Sequence, residues 1–261
     1  MEKKNIIKLL LVAVSIAGLV YLGVDQFNKV GTSEDHIDYY DMAGDIKSDI
    51  DSLSTSWEAT SYNSFRDVLA DIDVTSGMHG LEENDAKQVL SLTNTVFTEA
   101  ANSYFKQSTW SEGELSKIKH LAGYLNNADI TEIVDGYFGA KSVIANSKSC
   151  TSQSAVDNCI SKANSYNKSP WSNCQNLKEG LTSVRTNALE SYTTRTLIPL
   201  CNRLINYKTS YRYFDEFDAD YQKVKAGNDY LQKKSFVSST FKSKYGAIEY
   251  NNAANDLDPR F

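Results

Sequence analysis

The chain has 261 residues, a size that fits one large domain or two small ones. It holds only 13 Gly and 3 Pro, where average usage gives about 18 and about 13, and this shortage argues against an all-β sandwich, a disordered linker protein and a collagen-like chain. A hydrophobic fraction of 41% with 23% charged residues supports a sizeable core, while a net charge of −6 argues against a nucleic-acid partner, because phosphate recognition needs a concentrated Lys/Arg surface.

The N-terminus points to a membrane. Lys3, Lys4 and Lys8 precede an uncharged run from Leu9 to Val24. Counted over residues 6–24, with Lys8 snorkelling, the span is roughly 28 Å at 1.5 Å per residue, close to a bilayer core. Residues 1–25 are therefore expected to be a signal anchor or transmembrane helix, with the basic flank in the cytoplasm and the remainder exported to a periplasmic or extracellular space. The alternative is a cleaved signal peptide and a soluble secreted protein. Its only passable cleavage sequence is Ser15-Ile16-Ala17, and cutting there leaves Leu19, Val20, Tyr21 and Leu22 as an apolar stub.

The rest reads as helices. Tyr39, Met42, Ala43, Ile46, Ile50, Leu53 and Trp57 recur at helical spacing. A second helix is expected around Tyr62 to Ile72, a loop over Asp71–Asp85, and a third helix carrying Val89, Leu92, Val96, Phe97, Ala100 and Tyr104. Ser111 with Glu114 forms a capping box, and Asp129 with Glu132 a looser version ahead of Ile133 and Val134. A short helix over 156–163 precedes the loop 166–168, and Ser169-Pro170 has the cap and first-turn residues of a new helix. That helix keeps a three-four spacing from Cys174 to Tyr192. The spacing resumes at Leu197 after a phase slip, where Thr193, Thr194, Thr196 and Pro199 predict a break or kink. Phe241 to Tyr250 forms a last helix before a frayed tail. No stretch alternates with period two, so the expected fold class is all-α, with residues 26–261 forming an exported multi-helix bundle and a candidate sub-boundary near 146–152.

Charge is unevenly spread. Residues 32–85 hold fourteen Asp/Glu against Lys47 and Arg66, a local balance of −12. Glu34, Asp38, Asp41, Asp45 and Asp49 follow at spacings of four, three, four and four, which places them on one helical face. Such a stripe is a solvated face or a docking surface for a basic partner or divalent cations. The segment with Lys223, Lys225, Lys233, Lys234, Lys242 and Lys244, whose only acid is Asp229, is a candidate basic partner within the same chain that could pack against the stripe.

Other chemistry is sparse. Asp71, Asp73, His79, Glu82, Glu83 and Asp85 could gather oxygen ligands for calcium, but they lack the EF-hand order. His36, His79 and His120 form no metal-binding motif, no cofactor is implied, and no nucleophile elbow or phosphate-binding glycine loop occurs. Glu190 is the one candidate for a general acid in an exported cell-wall glycan hydrolase, but no supporting downstream motif follows and an ordinary exposed helix position is the better fit. Tyr213 falls off the apolar stripe shared by Tyr207, Tyr211, Phe214, Phe217 and Tyr221, which suits an exposed contact.

Cys150, Cys159, Cys174 and Cys201 lie beyond the apolar run, in a compartment that permits disulfides. Cys159 and Cys174 flank the 166–167 turn at similar distances, so a helical hairpin predicts Cys159–Cys174 and leaves Cys150–Cys201. The reading that follows is a membrane-tethered cell-envelope protein whose helical ectodomain binds a protein partner or organises an assembly. A glycan hydrolase and a soluble secreted helical protein are the alternatives.

Overall fold

Helical spacing in the sequence is realised throughout the computed structural model, which describes residues 48–50, 52–57, 59–78 and 83–257. All of these belong to the unit Ser48–Phe261, and the predicted membrane segment lies outside the described residues. Among the described residues the fold is all-α, without strands, and no helix is long and apolar enough to cross a membrane.

The first layer comprises α1 (Ala59–Met78), α2 (Glu83–Phe105) and α3 (Glu112–Tyr124), with α1 packed on both α2 and α3. Trp57 seals it from outside a helix: the predicted helix does not extend to this residue, because 53–57 is an irregular strap. The Trp57 backbone N–H donates to Ser103 Oγ at 2.9 Å, its indole N–H donates to Glu114 Oε2 at 3.0 Å, and its ring stacks on Phe65. The capping box at Ser111 is therefore half formed. Ser111 Oγ accepts from the Glu114 N–H at 3.4 Å, but the Glu114 carboxylate is taken by Trp57 and Lys117.

Next come α4 (Ala128–Ser147) and α5 (Gln153–Tyr166). The α4 cap is Asn127 rather than Asp129. Its Oδ1 accepts from the Ile130 N–H at 3.1 Å, while its amide donates to Asn94 and Thr98 on α2, both at 2.8 Å. A single amide thus satisfies a helix start and ties it to a neighbour, which an Asp, having no donor, could not do.

The helix expected to start at Ser169-Pro170 starts later. A short 3-10 turn, Trp171–Asn173, intervenes, and Cys174 caps α6 (Gln175–Tyr192). Tertiary contacts hold the delay. The Trp171 indole donates to the Ile133 carbonyl at 2.8 Å, Asn173 Nδ2 to the Phe105 carbonyl at 3.1 Å, and the Gln175 N–H to the Ser108 carbonyl at 2.8 Å.

The predicted break at the threonines is a π-helical turn, Thr193–Leu197, that runs without interruption into α7 (Ile198–Ile205). The buried positions explain the phase slip. Leu181, Val184, Ala188 and Tyr192 follow α spacing, the next inward side chain of that row is Leu197 five residues on, and Cys201 and Leu204 resume the pattern. One inserted residue keeps both halves facing the same core. The wide turn also relieves the clash that Pro199 would make with an α-helical i−4 carbonyl. The continuous helix from Gln175 to Ile205 is roughly 45 Å long. Its first part packs on α4 and α5.

The C-terminal layer holds α8 (Tyr207–Ser210), α9 (Phe214–Lys233), α10 (Ser239–Gly246) and α11 (Tyr250–Leu257). α7 packs on α9 and α10, and α11 on α8 and α9. The apolar stripe read as continuous from Leu197 to Tyr221 is cut at Asn206 and again at 211–213, and the expected tail is a helix. An aromatic cluster joins the layer: Phe217 meets Tyr207, Tyr211, Phe214, Tyr221 and Tyr250 at centroid distances of 5.5–6.4 Å. Tyr213 stays out, 54% exposed.

Candidate functional site

The sequence-predicted site residues are dispersed. Glu34, Asp38, Asp41 and Asp45 lie outside the described residues, and Asp49 is exposed. Asp71 and Asp73 sit within α1 rather than in a loop, because that helix continues to Met78 and places Gly77 at its end, where glycine is tolerated. Glu83 and Asp85 open α2, and His79 and Glu82 lie outside the described residues. Among the described residues no group of three His, Cys, Asp or Glu is placed to hold a metal ion. His120 is exposed on α3 beside Tyr62, with ring centroids 6.2 Å apart. Glu190 is exposed on α6, where its backbone carbonyl accepts the Thr194 hydroxyl at 2.8 Å.

The cysteines are four buried thiols. Cys159 meets Cys150, with sulfurs 3.6 Å apart, and the predicted partner Cys174 lies elsewhere, beside Tyr104 and Tyr137. The cause is the late start of α6. The 3-10 turn at Trp171 spoils the hairpin symmetry about residues 166–167 and carries Cys174 toward the first layer. Cys201 lies near Lys244 and Tyr245 on α10, so Cys150–Cys201 is not assembled either.

A concave site forms where sequence reasoning expected a frayed tail. An open cleft of about 630 Å³ lies between the α7–α8 corner and α11. Asn252, Asn255 and Asp256, at i, i+3 and i+4 of α11, face it from one side, and Asn206, Tyr207 and Lys208 from the other. Helical spacing of Tyr250, Ala253, Ala254 and Leu257 was the signal available for this helix, and Ala253 is fully buried. Lys208 and Asp256 are paired within the cleft, and Glu249 accepts a hydrogen bond there. Tyr207 Oη donates to Asp256 Oδ2 at 2.7 Å, Lys208 Nζ approaches the same oxygen at 3.0 Å, and Asn252 Nδ2 donates to Glu249 Oε2 at 2.8 Å. The Tyr207 hydrogen bond and then Lys208 hold the Asp256 carboxyl below the usual range, while Asp256 raises both of its partners.

The same sign recurs elsewhere. Asp157 is lowered by its hydrogen bonds from Lys234 and Tyr230, against a smaller effect of burial. At Glu114 and Asp220 burial pushes upward, yet the surrounding donors win: Lys117 and Trp57 for the first, Lys223, Tyr211 and Arg203 for the second. Each of these carboxylates is an anchored anion that accepts hydrogen bonds. A general acid in glycoside cleavage needs the opposite, a carboxyl kept protonated by a raised pKa. The cleft therefore offers a mosaic of amide, phenol, ammonium and carboxylate groups suited to recognising a polar surface.

The chain matches no protein-family model, no curated protein and no solved structure.

Proposed function

We propose that this chain is a membrane-tethered cell-envelope protein whose exported helical domain is a binding module that docks a protein partner through the cleft between the α7–α8 corner and α11. Residues 6–24 tether it, and the helical domain acts outside the cytoplasm. The observation that carries the binding assignment is the state of Asp256. This acid in the cleft lining is held as an anion by Tyr207 and Lys208, which suits recognition and disfavours acid catalysis.

Site-specific photo-crosslinking tests the reading. A photoreactive residue placed at Asn252 or Asn255 should trap one defined protein adduct in intact cells. The same group at Lys162, exposed on α5, should not. Equal labelling from both positions, or peptidoglycan cleavage by the purified domain that disappears in E190Q, rejects the binding module.

A further inference from the structure

Cys150 and Cys159 are nine residues apart in sequence and lie together in the fold. Cys150 sits in the link between α4 and α5, 3% exposed, and Cys159 lies inside α5, 7% exposed. Their sulfurs are 3.6 Å apart, and Cys150 Sγ also approaches the Asn146 carbonyl at the end of α4. The other two thiols have no such neighbour available. Cys174 caps the start of α6 and Cys201 lies on α7, so the continuous helix separates them by roughly 40 Å. Cys174 lies near Tyr104 and Tyr137, and Cys201 near Lys244 of α10.

We infer that Cys150 and Cys159 form an intramolecular disulfide that staples the α4–α5 link to the body of α5, leaving Cys174 and Cys201 as buried thiols. A bond from 3.6 Å requires the sulfurs to close by roughly 1.5 Å, within reach of side-chain rotation next to a loop. The staple also anchors a polar junction. Gln153, in the first turn of α5, reaches the Ala226 carbonyl, while Asp157 on the next turn binds Tyr230 of α9 and Lys234, which caps that helix.

The oxidant is a disulfide donor of the thiol–disulfide exchange class. One cysteine thiolate attacks the donor's disulfide, forming a mixed disulfide and expelling one donor thiolate. The second cysteine thiolate then attacks its partner's sulfur, forming the Sγ–Sγ bond and expelling the second donor thiolate. The two protons lost from the cysteines end on the donor, which gains both electrons as a dithiol. Because both sulfurs are buried in the folded domain, the exchange belongs to folding, before α5 packs against its neighbours and buries Cys159. Burial and the Cys159 neighbour push the Cys150 thiol up to about 11, so the folded dithiol is a slow nucleophile, consistent with that order.

Oxidation in the cell rests on the export proposed above, so the test separates the two. The full chain is refolded with a glutathione redox pair, alkylated, and mapped without reduction. A parallel sample is alkylated directly from intact cells. Refolding should give a peptide pair linking Cys150 to Cys159, with Cys174 and Cys201 alkylated only in denaturant. Reduction should lower Tm by roughly 5–10 °C, and C150S/C159S should make Tm indifferent to reductant. Refolded protein with four alkylatable thiols, or with Cys159 linked to Cys174, overturns the pairing. Linkage on refolding with four free thiols in cells supports the pairing and removes the export reading instead.

Discussion

Asp220 is only 7% exposed, yet it carries its charge, because three donors converge on it. Tyr211 Oη donates at 3.0 Å, Lys223 Nζ at 2.9 Å, and Arg203 Nη1 lies 3.0 Å away, so α7, α9 and the 211–213 link meet at one carboxylate. Hydrogen bonds to a charged group are worth about 1.5–3 kcal/mol, and both cations are more than half exposed, which weakens their share. Asp220→Asn should therefore cost about 2 kcal/mol in urea unfolding. The pH dependence has a definite sign. Asp220 is lowered in the folded state, so its stabilisation is complete above the ordinary Asp value near 3.8 and fades as pH falls through the lower folded value. The variant should lose less stability than the parent between pH 5 and the acid transition. A parallel loss in both proteins would mean that Asp220 is not the group being titrated. Tyr211, pushed upward by burial and by Asp220, stays a hydrogen-bond donor throughout.

At the scale of the helix, two glycines respond in opposite ways to the same substitution. A Cβ on Gly136 would lie 2.7 Å from the Trp171 indole nitrogen, and that ring is held by its bond to the Ile133 carbonyl and by edge contact with Tyr166. Gly136→Ala should destabilise by about 1–2 kcal/mol, since overpacking against a fixed ring outweighs the gain of about 1 kcal/mol in helix propensity. Gly123, exposed in the last turn of α3, has open space where its Cβ would point, so Gly123→Ala should stabilise by about 0.5–1 kcal/mol. Thermal melts of the two variants check both signs. The π turn yields a harsher expectation. Inserting one alanine after Thr194 should exceed what a single π turn absorbs and rotate α7 by about 100°, turning Leu197, Cys201 and Leu204 out of the core. Leu197 and Leu204 each contribute about 1.5–3 kcal/mol when buried, so the domain should lose several kcal/mol. Cys201 should then react with maleimide without denaturant. An unreactive Cys201 with unchanged stability would mean that α7 tolerates either register.

For the whole molecule, the expectation concerns the membrane. If residues 6–24 are an uncleaved anchor, the full chain should pellet with membranes and resist alkaline carbonate extraction, whereas the chain from Ser48 onward should remain in the supernatant. A soluble mature form beginning near Gly18 would establish the cleaved alternative. Carbonate release of the intact full chain would remove the anchor altogether.

The sequence by itself determined the class of structure. Spacings such as Leu115, Ile118, Leu121 and Ala122 place a full row of side chains in the core of α3, and Ser111 marks where that helix begins. Periodicity and capping act within a few residues, so they survive being read one segment at a time. The phase slip near Thr193 was legible for the same reason, although its form was not: threonines and a proline are equally compatible with a kink and with a π turn. Only the tertiary structure decided the elements whose backbone bonds go to distant partners. Trp171 and Asn173 delay α6 by bonding to α4 and α2, Asn127 displaces Asp129 as a cap by reaching Asn94 and Thr98, and Trp57 leaves helical geometry to reach Ser103 and Glu114. The neighbours of the four cysteines and the cleft at α11 depend on those choices. A sulfur on one helix finds another only after every intervening turn has been placed, and no local spacing contains that information.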